Sequence, residues 1–456
     1  MARYNLDPRD VNSVRTAHRS VQGQLPVPES LPLFETLSRT EPVSMMGQPP
    51  VVWHRATGFT VEDPWGNRWI DWSSGVLVAN VGHAHPAVLQ AVREAIDQEL
   101  LCTYVFSHQR RADLCAALQQ TMPKPVDRWR VFLLTTGSEA VECCIKLART
   151  YAQARGGERK RTIVSFTNAF HGRTLGAQLA GGTPALKAWI GHPTDTGFVQ
   201  VPFPDGWFET DVSFERFLSA LHAQNVHPEQ IAGVLVESYQ GAGPFFLPNA
   251  YARTLERFCR DHDILLICDE VQSGFGRTGR MFCFEHYGIC PDLVACGKGI
   301  SSSLPLSAVI GRADVMNLYP PGSMTSTHSA SPLPVAAGLA SLKVLHDERL
   351  CEHAADMGEL LRAGLTGVVE RSSPRLGALN ARGLVAGIYA FQPDGQTLDP
   401  DLALRINTAC YERGVLMFAP VGMQGACIKI APPLCITREA LEESLEVFAE
   451  AAMTCM

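Results

Sequence analysis

Charge is scarce in this chain of 456 residues. Charged side chains make up 19% of it, and they sum to a formal net charge of -7 without any block of five or six like charges. That leaves no basic surface for a nucleic-acid partner. Long hydrophobic runs are missing too: no stretch reaches about 18 uninterrupted apolar residues, the length a membrane span needs. The segment Met1 to Arg19 carries charges every few residues and has no apolar core, so it reads neither as a signal peptide nor as a span. No C-x-x-C pair occurs among the 14 cysteines, and several, such as Cys143, Cys144 and Cys268, lie in apolar surroundings. This argues against a zinc site or a disulfide framework. The expectation is buried reduced thiols, no metal, and a cytoplasmic protein.

What is present is the texture of a globular enzyme: 46% hydrophobic residues, 38 glycines and 30 prolines. The length allows two domains. The first 30 residues are polar and proline-containing and read as an arm lying over the protein or a partner subunit. Between Val51 and Trp72, short β-like runs broken by Asp63-Pro64-Trp65-Gly66-Asn67 suggest an antiparallel meander. From Pro86 to Ile310, helical stretches alternate with apolar runs at Arg130 to Leu134, Thr162 to Ser165, Gly233 to Val236, Ile264 to Cys268 and Leu306 to Ile310. Runs apolar on both faces and separated by helices imply an α/β fold with a mainly parallel central sheet, its site at the strands' C-terminal ends. Helices are expected at Leu333 to His346 and Arg438 to Ala452. The expected division is 1–85 for an arm and part of a small α+β domain, 86–332 for a large domain, and 333–456 for the remainder of the small domain.

The chemistry-bearing residues sit where these runs end. Leu266-Ile267-Cys268 leads into Asp269, a charge that such an apolar strand cannot leave unpaired; a pyridinium N–H and an arginine are equally good partners. Lys298 stands between Gly297 and Gly299, which permit close backbone approach in a closed pocket. A lysine that forms a Schiff base with an aldehyde, and a carboxylate that keeps a pyridine nitrogen protonated, are what pyridoxal 5'-phosphate chemistry requires. Thr135-Thr136-Gly137-Ser138-Glu139 is a strand-to-helix turn: either a phosphate cradle or an ordinary capped turn. Phe170 and His171, in Asn168 to Thr174, offer a ring to stack on a pyridine and a group to support the loop or meet an anion; a core aromatic before a surface turn is the alternative. Glu237 closes the run Val234-Leu235-Val236, as a site carboxylate or a helix cap. Ser326-Thr327-His328-Ser329 brings hydroxyls suited to phosphate.

Together these residues resemble the class III (ω-) aminotransferases among the fold-type I pyridoxal-phosphate enzymes, from about residue 30 onward. The ordered motifs are Gly82-His83-Ala84-His85-Pro86, Gly137-Ser138-Glu139-Ala140, Phe170-His171-Gly172-Arg173-Thr174, Asp269-Glu270-Val271-Gln272, Gly276-Arg277-Thr278-Gly279 and Gly297-Lys298-Gly299. The resemblance implies a homodimer with shared active sites and a ping-pong transfer between small amine and carbonyl substrates. It implies that Lys298 and Asp269 are catalytic, that Gly137 and Ser138 hold the phosphate, that Phe170 stacks on the ring beside His171, that Gln272 lies near the phenolic oxygen, and that Thr327 reaches the neighbouring subunit's phosphate. Glu237, Tyr239, His328 and the Ser74 to Leu77 stretch fall near positions the family uses for substrate.

Two departures bear on the substrate. Glu237-Ser238-Tyr239 replaces the family's Glu-Pro step, and Ile428-Lys429-Ile430-Ala431-Pro432-Pro433-Leu434 places Lys429 where an arginine commonly binds the α-carboxylate. Lysine cannot make arginine's planar two-pronged pair. One substrate is therefore expected not to be a standard α-amino acid, an aminosugar or aminoglycoside being one such molecule. Epimerisation, dehydration or deoxygenation, and decarboxylation are the alternative reactions on the same scaffold.

Overall fold

The apolar runs between residues 129 and 312 form seven strands in a computed structural model that describes residues 4–191 and 196–456. They are β1 (Trp129–Leu134), β2 (Thr162–Phe166), β3 (Phe198–Val201), β4 (Ile231–Glu237), β5 (Leu265–Asp269), β6 (Leu293–Cys296) and β7 (Ser307–Arg312). Their order across the sheet is β3-β2-β4-β5-β6-β7-β1. Neighbours are parallel from β3 to β6, and β7 runs against β6 and β1. The expected mainly parallel sheet is thus present. Two strands were not anticipated: β6, only four residues long, and β3, at the sheet edge.

These strands belong to a compact unit, Pro86–Arg349. Its helices include α1 (Pro86–Asp97), α2 (Gln109–Gln120), α3 (Gly137–Gly156) and α4 (Pro332–Asp347). Helix α3 turns Val141, Cys144, Ile145 and Ala148 toward Leu235, Ile267, Ala295 and Val309 of the sheet, all in one core cluster. The spacing of those helical positions is what lets a single face cover the strands. Helix α4 packs on α1 and α2 within this unit, whereas the expected division at residue 333 falls at its first turn.

The other unit comprises Met1–His85 and Leu350–Met456, so both termini contribute to it. Arg55–Thr57, Thr60–Glu62 and Arg68–Asp71 form the meander. Its turn is held by Asp63, which accepts from the backbone N–H of Trp65 at 2.9 Å and of Asn67 at 2.8 Å, the local side-chain-to-backbone bonding for which Asp is favoured in turns. Leu376–Arg382, Val385–Ala390 and Cys427–Ile430 form a second antiparallel sheet. The N-terminal arm lies on its own unit: Tyr4 donates to Asn407 Oδ1 at 2.6 Å, and Arg19 pairs with Glu443 at 2.6 Å. Ser74, Gly75, Val76 and Leu77 have consecutive φ angles of 50°, 57°, 63° and 61°, a left-handed turn that costs energy at each non-glycine residue.

Ile267 is wholly buried in the core of the larger unit. Ile267→Ala should lower the stability of that unit by about 2–5 kcal/mol, measured as a shift of the urea midpoint followed by circular dichroism.

Candidate active site

Three parallel strands end side by side. Glu237 of β4 is in register with Asp269 of β5, and Asp269 with Ala295 of β6. Register partners on adjacent strands point to the same face about 4.8 Å apart, so the two carboxylates are neighbours. Both are buried, 4% and 5% exposed. Each is answered by the loop that follows β2. Asp269 Oδ2 lies 2.8 Å from His171 Nδ1, and its Oδ1 accepts from the Val271 N–H at 3.0 Å. Glu237 Oε2 accepts from the Phe170 N–H at 3.0 Å and its Oε1 from the Gly241 N–H at 2.7 Å. Arg173 lies over the Phe170 ring at 5.6 Å.

Burial dominates the charge balance. It pushes the Glu237 carboxyl up to about 7, with the negative charge of Asp269 adding to the rise and His171 and the two N–H donors opposing it. Burial works against a charged His171, but the hydrogen bond and charge of Asp269, with the charge of Glu237, outweigh it and raise the imidazole's pKa. Lys298 is lowered by burial, partly offset by Asp269 and Glu237. Glu270 is likewise lifted to about 7 by burial, although it accepts from Ser238 Oγ, Ser273 Oγ and the N–H groups of Cys283 and Phe284 at 2.5–3.0 Å.

The Gly-Ser turn opens α3. Thr136 caps the helix and Glu139 completes a capping box, its Oε2 accepting from the N–H groups of Thr135 and Thr136 at 3.1 and 2.7 Å. Those bonds leave the N–H groups of Gly137 and Ser138 without an acceptor among the described residues, at the positive end of a 20-residue helix. Glycine fits closely at 137, where a Cβ would lie 2.7 Å from Val271 Cγ1 and force that side chain to shift. A Cβ at Gly172 would collide with Ser138 Oγ, so the His171 loop touches the same turn. Ser329 donates to Leu133 O at 2.5 Å, tethering the 326–329 segment to the end of β1, while Thr327 and His328 are exposed.

Lys298 follows β6 with φ of 45°, an uncommon backbone for a residue with a Cβ and one found enriched at functional sites. Gly297 backs onto Val271, its would-be Cβ 3.2 Å from Cγ1. Gly137, Ser138, Phe170, His171, Glu237, Asp269 and Lys298 are thus linked by shared contacts or charges within one unit. Gln272 joins them beside Gly241, whose would-be Cβ is 3.3 Å from its Nε2. Tyr239 is buried against Phe246, ring centroids 4.5 Å apart. Lys429 belongs to the other unit, on Cys427–Ile430, and is 1% exposed. Reading the sequence alone overlooked Val271, which touches both glycines, and Glu142, on the second turn of α3. An apolar residue after an acidic pair reads as core, and an acid within a helix reads as surface.

Comparison with known proteins decides the family. A family model described as aminotransferase class-III matches residues 43–452. The chain belongs to the class III aminotransferases. It is 33% identical over 442 residues to a 4-aminobutyrate aminotransferase of Mycobacterium leprae, covering 94% of this chain and 97% of that one. It is 32% identical over 418 residues to an alanine/serine racemase of Pyrococcus horikoshii, covering 88% and 85%. The ornithine aminotransferase of Toxoplasma gondii has a crystal structure that superposes with a TM-score of 0.82 at 28% identity, covering 93% and 95%. The aminotransferase is a pyridoxal-phosphate enzyme of fold-type I.

Its cluster fits that cofactor. Two unbonded N–H groups and a serine hydroxyl suit a phosphate, and an aromatic ring, a carboxylate and a lysine lie within the same group of loops. The buried His171 Nε2 has no hydrogen-bond partner among the described residues. The thiols are not part of this chemistry: Cys143, Cys144, Cys268 and Cys296 are free, buried and raised by that burial. Among the described residues no group of ligands suits a metal ion, and no helix is long and apolar enough to cross a membrane.

The raised Glu237 has a consequence for stability. Because its folded pKa lies above the usual 4.5, its contribution is fully present below about pH 4.5 and is lost as pH rises through about 7. Glu237→Gln should flatten the fall of the urea midpoint between pH 5 and pH 8 relative to the parent enzyme; an unchanged slope would assign the fall to other groups.

Proposed function

We propose that the aminotransferase moves an amino group from an amine donor to a carbonyl acceptor, and that one of the two is not a standard α-amino acid. The observation that carries the reading is Lys429, buried on Cys427–Ile430 at the position where the resemblance puts an α-carboxylate-binding arginine. A point charge on a flexible stem binds a carboxylate without fixing its plane. 4-Aminobutyrate, for which one relative is named, carries its amine remote from its carboxylate; an aminosugar is a further molecule with amino groups and no α-carboxylate.

In this reading Gly137, Ser138 and the end of α3 hold the phosphate of pyridoxal phosphate, Phe170 and Val271 flank its ring, Asp269 meets the ring nitrogen, Gln272 lies near the phenolic oxygen, and Lys298 is the attachment point. When bound, the cofactor supplies an aldehyde that condenses with amines and a cationic ring that draws electrons from the carbon bearing the amine. Asp269 is presented by two donors, the His171 imidazole and the Val271 N–H, so its position is set before substrate arrives. The Lys298 amine, made easier to deprotonate by burial, takes the proton from the substrate carbon and returns it on transfer. Tyr239 and His328 remain proposed substrate contacts. Glu237, whose oxygens both serve backbone N–H groups, is better suited to positioning loops than to meeting a substrate's charge.

Lys298→Ala should lower turnover by about 10²–10⁴-fold or more. Beyond one equivalent per site, products should form only when a carbonyl acceptor is supplied; racemised or eliminated product formed catalytically without an acceptor would favour the other reactions of this scaffold. With Lys429→Arg, the KM for α-amino acid donors should fall about tenfold, the worth of roughly 1.4 kcal/mol from a two-pronged pair. High turnover of ordinary α-amino and α-keto acid pairs by the parent enzyme, with amines and aminosugars ignored, would sink the substrate proposal.

We also propose a homodimer in which Thr327 serves the neighbouring subunit's site. Support comes from the exposure of Thr327 and of Leu101, Val105 and Phe106 on the loop where Tyr104 meets Thr325 at 3.1 Å; exposed apolar clusters mark association surfaces. Sedimentation velocity should give twice the chain mass, and Phe106→Asp should shift the population toward monomer.

A further inference from the structure

The loop after β2 carries Phe170 and His171, and three carboxylates from three elements hold it. Glu237 at the end of β4 takes the Phe170 N–H, and Asp269 at the end of β5 takes the His171 ring. The third is Glu142, on the second turn of α3. Its Oε1 accepts from Thr174 Oγ1 at 2.6 Å, from the Gly176 N–H at 2.8 Å and from the Ala177 N–H at 3.1 Å. Both N–H groups belong to the first turn of the helix Leu175–Ala180, whose own cap residue Thr174 makes no capping bond. A carboxylate from another helix therefore does the capping, favourably placed at a helix N-terminus. The fit is close, since a Cβ at Gly176 would strike Glu142 Oε2. One turn earlier, the same helix α3 begins with Gly137 and Ser138, and Ser138 abuts Gly172 of the loop.

We propose that Glu142 is a positioning residue that ties the Phe170–His171 loop to the phosphate turn, so that the part of the site that holds the ring and the part that holds the phosphate keep a fixed spacing. Glu142 does not touch the cofactor; it acts through Thr174, Gly176 and Ala177 on the placement of Phe170. The inference rests on the placing of Phe170 at the cofactor ring.

The experiment measures the equilibrium release of pyridoxal 5'-phosphate from diluted holoenzyme by tryptophan fluorescence. Glu142→Ala should raise the cofactor Kd about tenfold, the scale of losing hydrogen bonds to a charged acceptor. Glu142→Gln keeps an acceptor oxygen at that place and should stay within about twofold of the parent. In a Phe170→Ala background the Glu142→Ala effect should shrink to less than about twofold, which a general loss of stability would not do. Thr174→Val, which removes only the hydroxyl donor, provides the same cycle should Glu142→Ala not yield folded protein. The proposal is overturned if Glu142→Ala leaves the Kd unchanged, if Glu142→Gln weakens binding equally, or if the effect persists undiminished beside Phe170→Ala. A Phe170→Ala enzyme that binds cofactor as tightly as its parent would instead refute the placing of Phe170, and the clamp with it.

Discussion

Two carboxylates buried next to each other must be compensated or the strands that carry them will not end where they do. Glu237 and Asp269 meet this condition by recruiting donors from the same short loop, a backbone N–H for one and an imidazole for the other. The cost of burying charge is what fastens the loop. Remove the two carboxylates and Phe170 and His171 lose the partners that hold them to the strand ends.

The Gly137-Ser138 turn is built differently. The capping box of α3 pairs the Thr136 and Glu139 N–H groups and leaves those of Gly137 and Ser138 without an acceptor among the described residues. Val271 packs against both Gly137 and Gly297, so one apolar side chain lies between the Gly137-Ser138 turn and the turn that carries Lys298. Chemistry and packing thus meet at a residue with no polar atom in its side chain.

Much of this was legible in the residues. The apolar runs betrayed the buried strands, and Asp269 and Lys298 stood out because one closes a strand that tolerates no loose charge and the other sits between glycines. The motifs supplied the order. What escaped were features set by partners far along the chain. Glu237 reads as a carboxylate at a strand mouth, and only the fold shows its oxygens spent on Phe170, 67 positions away, and on Gly241. Glu142 looks like one more polar position on a helix until the loop from Thr174 to Ala177 is folded onto it. Strand β6 escaped because four residues, Leu293 to Cys296, are too few to show a period. The left-handed turn at Ser74 to Leu77 carries a β-branched Val76, which local preference would not place there.

The register of β4 against β5 has one further implication. Because Glu237 and Asp269 are register partners on adjacent parallel strands, the spacing of their backbones is fixed by the hydrogen bonds of the sheet and cannot be tuned by small amounts. Variation at these positions can exchange one side chain for another, but it cannot slide the two backbones closer or farther apart. A row of strand ends of this kind behaves as a ruler with one graduation. Diversity of substrate among proteins built this way must therefore be sought in the loops laid across the strand ends, where distance is free to vary.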